Sequence, residues 1–219
     1  MTQKRRVKVD RDEKVKSVLA VGAHPDDVEL GCAGTLAMHK SRGDKVYLLV
    51  LTRGEASGSP EVREDECRKS AEILGVDRLF FGDLRDTQVH DGRETIDVIE
   101  KVVDEVKPDI IYAPTLKDTH QDHRNAGHAT LSACRRCKIV LMYEGASTQR
   151  DFTPQVFVDI SDTFDLKMKT TKVFGSQFNN RGVYAVAMKA NEGLATFRGY
   201  QAGVDVAEAF EVGKFLIEI

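Results

Sequence analysis

Short apolar runs alternate along the chain with longer segments in which apolar residues recur at three- and four-residue steps. The first run, VKSVLAVGA at residues 15–23, is rich in β-branched and small apolar residues and has no helical stripe. Such a composition is typical of a strand that is buried on both faces. Further strands are predicted at 46–52, 78–82, 109–114 and 138–144, and helices at about 30–43, 62–74, 94–106 and 123–136.

Strands that alternate with helices of this length favour right-handed βαβ units, in which a mostly parallel sheet carries helices on both faces. We therefore predict an α/β fold, a Rossmann-like three-layer sandwich, with residues 1–219 forming a single domain. After residue 150 the pattern is less regular. It predicts a strand at 155–161, a helix from Ser161 or Asp162 to Phe174, and a final helix at 205–213.

The charge and hydropathy of the chain exclude some partners. Its 219 residues carry a net charge of -3 at pH 7, and the sequence pI is about 6.1. The evenly mixed charges provide neither the basic field that nucleic acid requires nor a polybasic patch for a membrane. No apolar run approaches the roughly 20 residues that span a bilayer, and residues 1–16 lack the apolar core of a signal peptide. We expect a cytoplasmic protein that acts on a small molecule.

Four cysteines, Cys32, Cys67, Cys134 and Cys137, are too few and too scattered for a disulfide framework in a chain of this length. Cys134 and Cys137 form a CxxC motif. A structural zinc site usually requires a second such pair or a pair of histidines, and none lies near this motif in the sequence. We therefore expect reduced thiols, with the CxxC pair packed at the end of a helix.

The turn after the first strand carries the first candidate chemistry. The sequence AHPDDVELGCAGT, residues 23–35, places His24, Asp26 and Asp27 beyond the carboxyl end of a strand, where parallel sheets bind ligands. A dinucleotide site would need glycines there, and carboxylates repel phosphate. An imidazole and carboxylates instead suit a divalent cation, whose charge offsets the cost of burying the acids. A capping turn is the alternative explanation, because aspartates also accept hydrogen bonds at helix N-termini.

A second group of polar residues follows the fourth predicted strand. The loop TLKDTHQDHRNAGH supplies His120, Asp122, His123 and His128, and it opens on the same edge of a parallel sheet as the first turn. Two histidines and one carboxylate would leave a fourth metal position for water, as in catalytic zinc sites. Because such a metal lowers the pKa of its water to about 7, the pattern predicts a hydrolase.

The two motifs together resemble a known family. HPDDVELGCAGT with a later HQDH is similar to the LmbE-like/PIG-L family of zinc-dependent de-N-acetylases, and LTRGEASG, VREDECRKSAEILGV and RGYQAGVDVAEAFEV extend the resemblance over essentially the whole chain. The resemblance implies that His24, Asp27 and His123 bind Zn2+ and that Asp26 is the general base. A carboxylate that lies beside a ligand without binding the metal is chemically suited to that proton transfer.

The resemblance implies three further roles. His120 corresponds to the histidine that stabilises the tetrahedral oxyanion, and Asp122 is expected to orient His120 and keep it protonated. Arg63 occupies the position of a substrate-binding arginine, although a structural salt bridge would explain it equally well. Gln121 replaces the proline found in many relatives, a change that affects loop rigidity more than the metal site.

The expected function is the removal of the acetyl group from an N-acetylglucosamine conjugate, such as N-acetylglucosamine-malate or another N-acetylglucosamine glycoside, by zinc-activated water. Such sites also accept iron, cobalt or manganese, and the resemblance implies a homo-oligomer, a trimer or a hexamer. The alternatives are an amidase acting on thiol conjugates, a non-catalytic metal- or sugar-binding module, and a Rossmann-like nucleotide binder. The sequence does not assign roles to Glu29, His90 and His128. His39 is expected at the surface.

Overall fold

The central sheet of the computed structural model contains seven strands among the described residues, 14–178 and 184–217. The strands are β1 (Ser17–Gly22), β2 (Lys45–Thr52), β3 (Arg78–Leu84), β4 (Ile110–Pro114), β5 (Ile139–Tyr143), β6 (Val156–Asp159) and β7 (Ala207–Phe215). They follow the order β3-β2-β1-β4-β5-β7-β6. The first five pair in parallel, and β7 runs antiparallel to both of its neighbours. This arrangement confirms the predicted α/β fold with a mostly parallel sheet.

Helices cover both faces of this sheet. They are α1 (Asp27–Ser41), α2 (Pro60–Leu74), α3 (Arg93–Val106), α4 (Gln121–Ala133), α5 (Phe164–Thr171), α6 (Gly175–Phe178) and α7 (Tyr184–Ala202). The first four begin and end within a few residues of the predicted bounds. Gly75 ends α2 with a φ of 76°, a left-handed conformation that glycine adopts without steric cost.

Two expectations concern membranes and secretion. No helix within the described part of the chain is long and apolar enough to cross a bilayer. The expectation that residues 1–16 lack a signal-peptide core falls almost entirely on residues 1–13, which lie outside the described residues.

Two hydrophobic layers separate the sheet from its helices. Leu19 and Val21 of β1 enter the layer formed with α3 and α4, whereas Val18 and Ala20 enter the layer formed with α1 and α2. All four side chains are fully buried, which explains why the sequence of β1 shows no polar alternation. Because both of its faces are packed, β1 holds the turn that follows it in a fixed position.

The direction of winding changes between β1 and β4. These strands are neighbours in the sheet, with β2 and β3 on one side of them and β5 on the other. Loops that leave the carboxyl ends of two strands at such a point turn to opposite faces and open a crevice between them. The turn after β1 and the loop after β4 therefore border one crevice.

The C-terminal part differs from the sequence predictions. The segment 205–213, predicted as a final helix, forms most of β7, and the sequence pattern does not predict α7. Residues 207–210 are buried between β5 and β6, so tertiary packing overrides the helix propensity of their alanine and glutamate side chains. α7 contains Gly199 because a Cβ at that position would lie 2.7 Å from the Cα of Val206. The predicted strand at 155–161 is confirmed as the shorter β6.

A kink in α1 is stabilised by a buried ion pair. Cys32 has non-helical φ and ψ values of -147° and 15°, which interrupts the backbone hydrogen bonds of the helix. Lys167 Nζ donates to the carbonyl oxygen of Leu30 at 2.6 Å and to Glu208 Oε1 at 2.7 Å. Glu208 in turn accepts the N–H groups of Gly34 and Thr35 at 3.0 and 2.7 Å. The two side chains thus replace the hydrogen bonds that the kink removes.

We predict that Lys167→Met lowers the free energy of unfolding by about 3–5 kcal/mol, because Glu208 is then left as a buried charge without its cation. Lys167 is 1% exposed and Glu208 is 4% exposed, so solvent cannot compensate the loss. Denaturant unfolding of the purified variant measures the change.

The double variant Lys167→Met/Glu208→Gln is expected to be less destabilised than Lys167→Met alone, because it buries no unpaired charge. Lys69→Met, which breaks the exposed Lys69–Asp65 pair, is the control and is expected to leave stability unchanged. A double variant that loses at least as much stability as the single one would contradict the assigned role of the ion pair.

Candidate metal centre and cavity

The side chain of Asp27 closes the turn after β1. Its Oδ2 accepts the backbone N–H groups of Ala23 and His24, each at 2.9 Å. The preceding residue, Asp26, has a φ of 108°, a left-handed conformation that is uncommon for a residue other than glycine. Such backbone conformations persist where the surroundings enforce them, often at functional sites. The turn therefore fixes two adjacent carboxylates in different directions.

The loop after β4 is ordered by Asp118 and His120. Asp118 Oδ1 accepts the N–H of His120 at 2.8 Å. His120 then caps α4, because its Nδ1 accepts the N–H of Asp122 at 3.2 Å. With Nδ1 acting as an acceptor, a neutral His120 ring carries its proton on Nε2. The cap thus sets both the orientation and the tautomer of this imidazole.

The turn after β1 and the loop after β4 bring three predicted ligands together. His24 Nδ1 lies 3.2 Å from His123 Nε2, and His123 Nε2 lies 3.2 Å from Asp27 Oδ1. His24 Nδ1 is 3.7 Å from Asp27 Oδ2. A tetrahedral ion with bonds of about 2.0–2.1 Å separates its ligand atoms by about 3.3 Å. The distances from His123 Nε2 to His24 Nδ1 and to Asp27 Oδ1 are therefore close to those between two ligands of a tetrahedral metal.

Each of the two imidazoles also contacts a carboxylate through its other nitrogen. Asp86 Oδ1 and Asp122 Oδ2 lie 3.0 and 3.2 Å from His24 Nε2, and Asp118 Oδ2 lies 3.2 Å from His123 Nδ1. Metal-binding histidines commonly donate their second N–H to such a carboxylate, which fixes the ring and strengthens the ligand. Sequence reasoning missed Asp86 and Asp118, although Asp86 follows β3 and Asp118 precedes the HQDH motif.

The position of Asp122 differs from the expectation that it orients His120. Its carboxylate contacts His24 Nε2 and accepts the N–H of Thr87 at 2.7 Å. Only the backbone N–H of Asp122 reaches the His120 ring. Burial lowers the pKa of His120, and the neighbouring His123 lowers it further. The geometry thus links the Asp122 carboxylate to a predicted metal ligand, and it does not support a protonated His120.

The electrostatics of the centre call for additional positive charge. Burial lowers the pKa of His24, but the carboxylates of Asp122, Asp27 and Asp86 raise it to about 12. Burial likewise lowers the pKa of His123, and Asp27 and Asp118 raise it to about 10. Asp122 Oδ1 is buried without a hydrogen-bond partner. Without a metal, protons on the imidazoles neutralise these carboxylates. A divalent cation would supply that positive charge instead.

Two further groupings of possible ligands share His24. The ligand atoms of His24, His120 and His123 lie within 4.8 Å of one another, and so do those of His24, Asp86 and Asp122. The His120 and His123 rings stack with centroids 4.5 Å apart. Since Asp86 and Asp122 both face the nitrogen of His24 that points away from His123, they are better placed to orient that ring than to join the same ion.

Arg63 lies behind the turn after β1. Its Nη2 donates to the carbonyl oxygen of Pro25 at 2.7 Å, and its Nη1 donates to the carbonyl oxygen of Gly54 at 3.0 Å. Nη2 also lies 3.7 Å from Asp26 Oδ1. The side chain is almost fully buried but borders the cavity. In this structure the guanidinium positions the Asp26 turn, and its expected contact with substrate stays a prediction.

A cavity of about 520 Å3 lies over the centre. His24, Asp26, Asp27, His120 and His123 all line it. A second cavity of about 390 Å3 lies beside the first, and both are bordered by Leu30, Gly145, Ala146 and Ala187. Together they form one groove, with the candidate metal centre in the first chamber and α7 forming a wall of the second.

Burial of the Asp26 carboxylate, together with the neighbouring charge of Asp27, raises the pKa of Asp26 to about 7. The Asp26 side chain is 14% exposed, so it remains accessible from the first chamber. Asp26 therefore lies at the edge of the cavity, beside the three predicted ligands. Its carboxylate takes no part in the contacts that join His24, Asp27 and His123.

Other titratable residues lie outside this arrangement. His90 and His128 are exposed and do not border either chamber. Glu29 is buried, and its Oε1 accepts a hydrogen bond from Ser70 Oγ at 2.7 Å, which joins α1 to α2. The expectation of a surface position for His39 is wrong. His39 is 8% exposed and bonds to Asp44 and to Tyr112 Oη.

Comparison with known protein families gives one domain match. Residues 19–134 match the family described as PIG-L, GlcNAc-PI de-N-acetylase. The chain is similar to the uncharacterized deacetylase YaiS of Escherichia coli, with 34% identity over 73% of this chain and 90% of that protein. It is also similar to the diacetylchitobiose deacetylase of Thermococcus kodakarensis, with 33% identity over 92% of this chain and 85% of that protein.

Solved structures share the fold. The conserved protein TT1542 of Thermus thermophilus superposes with a TM-score of 0.83 and 29% identity, covering 94% of this chain and 98% of that one. A 4-carboxy-2-hydroxymuconate hydratase of Pseudomonas putida superposes with a TM-score of 0.82 and 22% identity, covering 94% of this chain and 99% of that one. The second likeness concerns the fold alone, because one fold can carry different reactions.

We predict that Asp118→Asn weakens the binding of a divalent transition metal by about 10–100-fold, because the amide holds His123 less strongly in its ligand orientation. Metal affinity is measured by competition with a chromophoric chelator. Asp151→Asn, at an exposed position in the same region of the surface, is the matched control and should bind metal as the unmodified protein does. Equal affinities of all three proteins would exclude this role for Asp118.

Proposed function

The chain belongs to the PIG-L (LmbE-like) deacetylase family, and from this premise we propose that it is a metal-dependent hydrolase that removes the N-acetyl group of an N-acetylglucosamine conjugate. The observation that carries the proposal is the approach of His24, Asp27 and His123 at the floor of a cavity. The homologues of this chain include deacetylases of diacetylchitobiose and of N-acetylglucosamine conjugates.

We assign the metal to His24 Nδ1, His123 Nε2 and the Asp27 carboxylate, with Zn2+ as the expected ion. Two imidazoles and one carboxylate form a donor set that suits zinc and leaves one coordination position open. When bound, such an ion would polarise the amide carbonyl and make a water molecule more acidic. Asp86, Asp122 and Asp118 would hold the two imidazoles in their ligand orientation.

Asp26 is proposed as the general base. It is adjacent to Asp27 in the chain, borders the first chamber and does not share the contacts of the three proposed ligands. Its carboxylate would take a proton from the attacking water and then deliver it to the nitrogen of the leaving amine. The left-handed backbone at Asp26 and the hydrogen bond from Arg63 to Pro25 would keep that carboxylate in place.

His120 is proposed to stabilise the developing oxyanion. Because Nδ1 accepts the N–H of Asp122, the neutral imidazole carries its proton on Nε2 and can donate it as a hydrogen bond. A donor that is fixed before the reaction stabilises charge on the carbonyl oxygen without further reorganisation. This role requires a neutral His120, and it replaces the expectation of an imidazolium.

The second chamber supports a conjugate as the substrate. If the N-acetyl sugar occupies the first chamber of about 520 Å3, the group attached to it would enter the neighbouring chamber of about 390 Å3. Malate glycosides and N-acetylglucosamine disaccharides are the candidates. An amidase acting on a thiol conjugate would use the same two chambers, whereas a non-catalytic binding module would bind metal or sugar without releasing product.

The deciding experiment incubates the metal-loaded protein with N-acetylglucosamine-malate, diacetylchitobiose, related glycosides and a panel of N-acyl thiol conjugates. Release of free amine and of acetate is measured for each compound. We expect release from the N-acetylglucosamine conjugates. Release from thiol conjugates alone would favour the alternative amidase, and binding without release would favour the binding module.

We predict that Asp26→Asn lowers kcat by about a hundredfold or more while leaving metal content unchanged, because the amide cannot accept the proton of the attacking water. Asparagine is chosen because it tolerates the left-handed backbone at this position. Steady-state kinetics and metal analysis of the same preparation give the two readings.

For comparison, Asp27→Ala or His123→Ala is expected to lose the metal together with the activity, since each removes a proposed ligand. An Asp26→Asn protein that retains full activity would remove Asp26 from the role of base. A fully metal-loaded and active variant at either ligand position would overturn the proposed centre.

We predict that Ala190→Trp raises KM about tenfold for disaccharide or malate conjugates and leaves the kinetics of small N-acetylglucosamine glycosides unchanged; tenfold corresponds to about 1.4 kcal/mol. Ala190 borders only the second chamber, and a larger side chain there narrows it. Ala202→Trp, at the exposed end of the same helix, is the control. An equal effect on small and extended substrates would contradict the division of the groove.

A further inference from the structure

The turn that follows α4 holds two cysteines next to each other. The N–H of Cys134 donates to the carbonyl oxygen of Thr130, and the N–H of Cys137 donates to the carbonyl oxygen of Cys134, both at 2.8 Å. A turn closed by a bond between residues i and i+3 keeps their Cα atoms within about 7 Å, and disulfides need about 4.4–6.8 Å.

The two thiols differ in their access to solvent. Cys134 is fully buried in the layer formed by α3 and α4, whereas Cys137 is partly exposed at the edge of that layer. Cys32 and Cys67 are fully buried in other parts of the core. A dissolved reagent therefore reaches Cys137 first, and only Cys134 is positioned to react with it afterwards.

The charges around the turn distinguish the same two thiols. The adjacent Cys134 thiol, together with the nearby Lys214, lowers the pKa of Cys137 to about 7 although burial opposes this. The adjacent Cys137, together with burial, raises the pKa of Cys134. Lys214 Nζ is held close by donating to the carbonyl oxygen of Arg135 at 2.8 Å. The exposed thiol is thus the more nucleophilic of the pair.

A metal does not explain the pair. Among the described residues, the groups of side chains with metal-ligand spacing all contain His24 and include neither cysteine. A CxxC pair supplies only two of the four ligands that a structural zinc site requires. The remaining chemistry of two adjacent thiols with unequal access is thiol–disulfide exchange.

We propose that Cys134 and Cys137 form a thiol–disulfide exchange site that reacts with low-molecular-weight disulfides. The Cys137 thiolate attacks one sulfur of the small disulfide, forms a mixed disulfide with it and releases one thiolate. The Cys134 thiol then loses its proton, and its sulfur attacks Cys137 and releases the second thiolate. Two protein thiols are oxidised to one disulfide, and the small disulfide is reduced to two thiols.

This site is separate from the proposed metal centre. His123 lies in the first turn of α4 and Cys134 follows its C-terminus, so about 16 Å of helix axis, at 1.5 Å per residue, separates them. The disulfide would close a loop of four residues and would join the end of α4 to the start of β5. The proposal therefore does not depend on the proposed deacetylase activity.

The test exposes the full-length protein to glutathione buffers of increasing disulfide content and follows its intact mass. The unmodified protein is expected to become lighter by two hydrogens and to retain no glutathione. Trypsin cleaves after Arg135 and Arg136, so the disulfide should appear as two linked peptides. Cys134→Ser should instead retain one glutathione on Cys137, because no second thiol displaces it.

Cys137→Ser is the matched control and should take up no glutathione, because the remaining Cys134 is buried. Thermal unfolding of both variants verifies that each is folded. Alkylation rates of the unmodified protein give a reading that does not depend on the variants, and Cys137 should react faster than Cys32 and Cys67. The proposal is wrong if Cys137 is no faster than these two, if the unmodified protein accumulates glutathione, or if it stays reduced in every buffer.

Discussion

The candidate site depends on one contact, the approach of two imidazoles that are 99 residues apart in the chain. His24 and His123 meet because β1 and β4 are neighbours at the point where the sheet reverses its winding. Three carboxylates, those of Asp86, Asp118 and Asp122, then surround the outer nitrogens of the rings. So much buried negative charge is stable only beside a cation or a proton. The strand order therefore determines which side chains meet, and the carboxylates that meet there require a positive charge in the site.

The rigidity of α1 extends this constraint into the core. α1 begins at Asp27, and its kink a few residues later is stabilised by Lys167 from α5 and Glu208 from β7. Tyr143 of β5 packs so closely on α1 that a Cβ at Gly31 would lie 2.2 Å from its ring, and its hydroxyl donates to the carbonyl oxygen of Val21. The end of α1 that carries Asp27, a proposed ligand, is thus held in place by three elements that follow it in the sequence.

The sequence predicts those features that repeat or that lie at strand ends. The five parallel strands and their helices are predictable because apolar periodicity persists wherever one element covers another. β7 is mistaken for a helix because its alanines and glutamates favour helices locally, and its burial between β5 and β6 is a property of the whole fold. Asp86 and Asp118 are missed for a related reason. Asp86 contacts the imidazole of His24, which is distant in the chain, and Asp118 contacts that of His123 in the following helix. A single carboxylate after a strand forms no recognisable sequence pattern.

A hydratase has the same fold, so the fold alone does not identify the reaction. The arrangement of the site residues must do so. Hydrolysis of an amide makes a demand that addition of water to a double bond does not, because the leaving nitrogen must receive a proton before the C–N bond breaks. A single group that first accepts a proton and then returns it meets this demand. Asp26 borders the chamber beside the three proposed ligands, and its carboxylate takes no part in the contacts that join them. His120, from the opposite loop, has its Nε2 proton available as a donor. The proposed base and the proposed donor lie on different loops, which would leave the space between them for a planar amide.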